Sequence, residues 1–147
     1  MQITDLAGRI GEVIGTSEWI EIGQDRINEF ADVTEDHQFI HINPDMAKMT
    51  PFGGTIAHGF LTLSMLSKLM ATSGPLPATK MSVNYGFNKV RFLTPVRSGS
   101  RIRAHFKLLE LEEKRPGQWQ QCVEATVEIE GSEKPAFIAE WLFQHFV

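Results

Sequence analysis

A chain of 147 residues is sized for one domain, and 42% hydrophobic against 22% charged residues speaks against disorder. Fourteen Lys and Arg against eighteen Asp and Glu give a net charge of −4, which argues against a nucleic-acid module held by bulk positive charge. The single cysteine, Cys122, excludes an internal disulfide and a multi-thiolate zinc site; no signal-peptide pattern or apolar run of about 20 residues occurs, so a soluble cytoplasmic protein with no membrane partner is expected.

In chain order, Glu12 to Ile22 reads as a short strand ending at Gly23. Ile27, Phe30, Ala31 and Val33 then share one face of a helix expected from about Gln24 to Val33. Thr34 to Thr55 has no sustained period, and a loop that long inside a compact domain is more often functional than decorative. Within it, Pro44 to Met49 can form one or two helical turns, capped by Asn43 with Pro44 at the first helical position. Ile56 to Met70 is apolar almost all round and predicts a long helix buried on most sides, stopped by Gly74, Pro75 and Pro77.

The rest alternates as strands do. Val83, Tyr85 and Phe87 change parity to Val90 and Phe92, which places a bulge near Asn88–Lys89. Ile102, Ala104, Phe106 and Leu108 alternate with the basic Arg101, Arg103, His105 and Lys107. Val123, Ala125, Val127 and Ile129 alternate with Glu124, Thr126, Glu128 and Glu130, an acidic face that can pair with the basic one. Phe137, Ala139, Trp141 and Phe143 form a last set, expected to end the sheet, with turns at Arg115–Gly117 and Gly131–Glu133. The fold class is α+β: one domain over 1–147, a mainly antiparallel sheet against a long central helix.

The residue types that carry chemistry gather in the long loop. Asp36 and His41 stand five positions apart, close enough to converge if the loop curls. A carboxylate beside an imidazole is a general acid–base pair able to hold one water; the alternative is an Asx-turn with histidines on the surface. His37 and His41 have the i, i+4 spacing of zinc proteases, but Gln38 stands where their Glu would be and no third ligand is evident nearby, so no metal is expected. Gly53, Gly54 and Gly59 flank the start of the long helix, where free N–H groups can stabilise an oxyanion or where Gly59 simply permits tight packing. No G-x-S-x-G elbow is present and Cys122 lies in a core-patterned strand, so covalent nucleophilic catalysis is unsupported.

Asp36, His41, Gly53-Gly54 and Ala57-His58-Gly59, followed by Arg91-Phe92-Leu93-Thr94-Pro95-Val96, resemble in order the motifs of MaoC-like (R)-specific enoyl-CoA hydratases and dehydratases, which have the hotdog fold. The wording around Asp36 and Thr55 is similar to the branch named after nodulation protein N. The resemblance implies hydration of a trans-2-enoyl thioester, or the reverse dehydration of an (R)-3-hydroxyacyl thioester, on CoA or acyl-carrier protein. It implies Asp36 and His41 as catalytic groups, the Gly59 N–H on the thioester carbonyl, and substrate contacts from Gln38, Phe39, Gly54, Ala57, His58, Phe60 and Arg91. Lys48 and Lys89 would join Arg91 at the CoA phosphates. No cofactor is implied, and the family's typical homodimer is expected. One departure stands out: Gln38-Phe39 replaces the usual Asn-Pro, which keeps open a non-catalytic acyl-thioester scaffold beside the enzyme. A hotdog thioesterase is the other alternative.

Overall fold

The computed structural model describes residues 1–147. A 3₁₀ segment, Ile3–Arg9, precedes two short strands, β1 (Val13–Thr16) and β2 (Ile20–Ile22). The single strand expected over Glu12–Ile22 is thus divided. Ser17 divides it: its amide still donates to the Ala104 carbonyl at 2.9 Å, but its hydroxyl accepts from the Ala104 amide at 2.8 Å in place of the backbone carbonyl and donates to the Glu18 carbonyl at 2.8 Å.

Helix α1 (Gln24–Thr34) forms where the period predicts it, burying Ile27 and Ala31. Val33, expected on the same face, is 84% exposed, because two positions past Ala31 is about 200° round the helix from it, on the opposite side. Two single turns follow, α2 (Phe39–Ile42) and α3 (Pro44–Ala47). The second starts as expected: the Met46 amide donates to Asn43 Oδ1 at 3.1 Å, and Pro44 opens the turn.

The expected fifteen-residue helix ends at Ala71, next to the expected Met70, but is corrected at its start and in the middle. It begins only at Gly59, because the Ile56 and Ala57 amides donate to the carbonyls of Ile40 (3.0 Å) and Val96 (2.7 Å), which holds this segment extended. It then runs as α4 (Gly59–Ser64) and α5 (Leu66–Ala71), tightened at Met65. There Thr62 and Ser64 hydroxyls donate to the Gly59 and Phe60 carbonyls, at 2.8 and 2.7 Å, and compete for the helix's own acceptors. Nor is it buried on most sides. Leu61, Thr62, Leu66 and Leu69 face the sheet, while Phe60, Ser64, Ser67 and Lys68 face outward.

Strands β3 (Met81–Phe92), β4 (Ser100–Arg115), β5 (Gln118–Ile129) and β6 (Phe137–Phe146) complete an antiparallel sheet of order β1-β4-β5-β6-β3, with β2 also on β4. The bulge after Phe87 occurs where parity predicts it, and a second lies at Asn84/Gly86. β6 does not end the sheet: it pairs with both β5 and β3, and β3 is the edge. The pairing of outer faces is as expected, with Lys107 opposite Glu124 and Arg103 opposite Glu128. Ile102, Ala104, Phe106, Val123, Ala125 and Val127 line the inner face, and α4–α5 packs against it.

At the far end of this core His145 is 6% exposed, its Nε2–H donating to Gln121 Oε1 at 2.6 Å and its Nδ1 accepting from the Ser82 hydroxyl at 2.7 Å. Burial holds its pKa below the ordinary histidine value. Protons therefore bind the unfolded chain first, so this contribution to stability is intact above the unfolded value of about 6.5 and is lost as pH falls through it. Thermal melts at pH 7.5 and 5.5 are expected to show a smaller acid loss of Tm in His145→Gln than in the wild type; an equal loss would contradict this.

Candidate active site

The site forms where the 35–42 loop, the extended segment 55–58 and the end of β3 meet. α1 stops at Glu35, whose left-handed φ of 59° turns the chain and presents Asp36 at the surface. Asp36 Oδ1 accepts from the Gln38 amide at 3.3 Å, so the Asx-turn of the alternative reading is present, but its surface histidines hold for His37 and not for His41. α2 then carries His41 inward, where it is 7% exposed. Its Nδ1–H donates to the Ile56 carbonyl at 2.7 Å. A carbonyl can only accept, so the tautomer is fixed and Nε2 holds the free lone pair. Burial lowers the pKa of His41; the Ile56 hydrogen bond opposes this, neighbouring His58 lowers it further, and Asp36 raises it. The result is an imidazole held as a base at neutral pH.

His58, 3% exposed, stacks on His41 with ring centroids 3.8 Å apart and planes 22° from parallel. Its Nε2–H donates to the Asp36 backbone carbonyl at 3.0 Å, and Phe30 of α1 packs against it at 4.9 Å. Its Nδ1 has no hydrogen-bond partner. Asp36, His41 and His58 bring ligand-type atoms within 4.8 Å of one another. His58 is thus a third ligand-type residue that the sequence did not place near the loop, although ligands of one tetrahedral ion ordinarily approach it from divergent directions and these two imidazoles stack.

Gly59 follows as the first residue of α4, so its N–H has no carbonyl one turn back in the helix. A Cβ here would lie 2.9 Å from the Phe92 ring, which explains why the position takes glycine. Asp36, His41, Ala57, His58, Gly59 and Phe60 all line one cavity of about 510 Å³, walled on the other side by Phe92, Leu93, Thr94 and Val96. Gln38, Phe39, Gly54 and Arg91 do not line it. Arg91 lies on the exposed edge strand opposite Ile138, with parity opposite to that of Phe92. Two contributors had no signal in the sequence: Ala136, which reaches the wall only through sheet pairing, and Gln24, whose amide bonds the His41 carbonyl at 2.7 Å.

The helical pair α4–α5 against the inner face of an antiparallel sheet, with an imidazole, a carboxylate and a free amide around one cavity, defines a hotdog-fold protein. The chain belongs to the MaoC-like domain family, whose profile matches residues 5–132. It is 47% identical over 143 residues to 3-hydroxyacyl-thioester dehydratase Z of Mycobacterium tuberculosis, covering 97% of this chain and 95% of that protein. It is 46% identical over 144 residues to nodulation protein N of Rhizobium leguminosarum bv. viciae, covering 97% and 89%. Among solved structures, the (R)-hydratase from A. caviae involved in PHA biosynthesis superposes with a TM-score of 0.73 at 25% identity, covering 90% of this chain and 95% of that one.

Proposed function

We propose that the protein adds water to trans-2-enoyl thioesters with (R) stereochemistry and catalyses the reverse dehydration of (R)-3-hydroxyacyl thioesters. Relatives named dehydratase and hydratase support a hydro-lyase. The observation that carries the mechanism is the fixed tautomer of His41, whose Nδ1–H is committed to Ile56 and whose Nε2 is free to take a proton. In this reading Asp36 and His41 hold one water. His41 Nε2 accepts one proton from the water, the hydroxide oxygen bonds to C3 as the C2–C3 double bond gives way to an enolate, and the proton held on His41 then passes to C2 from the same face, which restores the neutral imidazole. The Gly59 N–H receives the negative charge that develops on the thioester oxygen, where such donors act most strongly. These steps use protein groups and water alone.

β3 is a twelve-residue edge exposing Val83, Tyr85 and Phe87. An edge of this length and apolarity is a template for a second strand, and pairing two copies across a two-fold axis covers it. The same preparation tests both proposals. It is expected to show the mass of two 16.6 kDa chains by light scattering and to convert crotonyl-CoA to (R)-3-hydroxybutyryl-CoA. Release of free thiol from saturated acyl-CoA would instead favour a thioesterase, and acyl-CoA binding without turnover at any chain length a scaffold.

A further inference from the structure

We propose that Gln24 is a positioning residue that locks the His41 turn to the segment leading into Gly59; its kinetic consequence rests on the hydratase reading above. Gln24 is the first residue of α1 and is not itself part of the cavity wall. Its side-chain amide is nevertheless engaged at every direction that matters. Nε2 donates to the His41 carbonyl at 2.7 Å and to Asn28 Oδ1 at 2.9 Å, while Oε1 accepts from the Thr55 hydroxyl at 2.6 Å. The His41 carbonyl can only accept, so the nitrogen must face it, and Asn28, one turn along the same helix, holds the amide in that orientation.

The amide therefore joins three pieces of chain that no regular element connects. α2 is a single turn with no side-chain cap, and a one-turn helix does not hold itself. Thr55 precedes Ile56, whose carbonyl receives His41 Nδ1–H at 2.7 Å and whose amide donates to the Ile40 carbonyl at 3.0 Å. Gly59 follows three residues later. Gln24 thus fixes the distance between the base on one segment and the amide on the other, the quantity on which a two-sided site depends.

The experiment compares Gln24→Met, which fills the space without hydrogen bonds, Gln24→Glu, which keeps the Thr55 arm but turns a carboxylate oxygen toward the His41 carbonyl, and Thr55→Val. Both Gln24 variants are expected to lose about 10–10²-fold in kcat with KM held within about twofold. Thr55→Val is expected to lose less, and to add nothing in the Gln24→Met background. In NMR spectra the hydrogen-bonded His41 Nδ1–H is expected to exchange faster in both Gln24 variants. Wild-type kcat in Gln24→Met and Gln24→Glu, with Asp36→Asn inactive, would overturn the inference. If Gln24→Met proves unstable, an unchanged kcat in Thr55→Val overturns it instead. A wild type that hydrates no enoyl thioester ends the hydratase reading, and the Nδ1–H resonance then decides alone: unchanged exchange in the Gln24 variants rejects positioning.

Discussion

His41→Ala is expected to lower kcat/KM for crotonyl-CoA hydration by about 10²–10⁴-fold, the usual contribution of a positioned general base. Asp36→Asn is expected to fall in the same range, because a neutral amide can hold the water but neither takes a proton nor supplies the negative charge that stabilises a protonated His41. Since both groups act on one water, the double variant is expected to lose little more than the worse single one. Loss of enoyl absorbance with time measures all three, and equal rates in wild type and variants would reject the assignment. The pH profile carries a sign of its own. The base must be neutral, and burial is the main reason its pKa lies below the ordinary histidine value. Activity is therefore expected to persist as pH falls through about 6.5 and to be lost only below it, as the lowered pKa is crossed. An acid limb at or above 6.5 would contradict a buried, neutral His41.

The second large effect separates the Gly59 N–H from the Gly59 shape. Gly59→Ala keeps the donor but drives a Cβ to 2.9 Å from the Phe92 ring. Gly59→Pro adds the same Cβ and also removes the N–H. Proline is compatible with the backbone here: the position opens α4, and His58 before it has φ −59° and ψ 137°, the extended conformation that a residue preceding proline favours. The proline variant is therefore expected to keep the helix and to turn over about 10²–10³-fold more slowly than the alanine variant, the cost of one lost oxyanion donor. A Phe92→Leu background relieves the clash in both and leaves the difference intact. Equal rates for alanine and proline would remove the Gly59 amide from the mechanism.

Much of this site is legible in the sequence because its elements are short and locally coded. Asn43-Pro44 announces a capped turn and Asp36 an Asx-turn, whereas the left-handed stop at Glu35 has no such mark, because neither glycine nor asparagine stands there. The outer faces of β4 and β5 were readable for the same reason, since strict alternation sets both burial and cross-strand charge pairing. What escaped the sequence is long-range. Nothing near Ile56 marks it as extended; its amide is spent on Ile40, sixteen residues away. Nothing marks β3 rather than β6 as the edge, because both alternate and only the order of pairing tells them apart. Arg91 reads as a site residue from its motif, yet the pleat turns it to the opposite side from Phe92.

The sequence by itself determined the α+β class, the inner and outer faces of the central strands, and the residue types of an acid–base site, all of which follow from period and local capping. Only the tertiary structure decided which nitrogen of His41 carries the proton and which keeps a free lone pair, because that depends on a carbonyl fifteen residues away. It alone brought Gln24 to the His41 turn, Phe92 against Gly59 and Ala136 into the cavity wall. Periodicity sets which face of an element is buried. Which face meets which is settled by packing, and the chemistry of the site depends on those meetings.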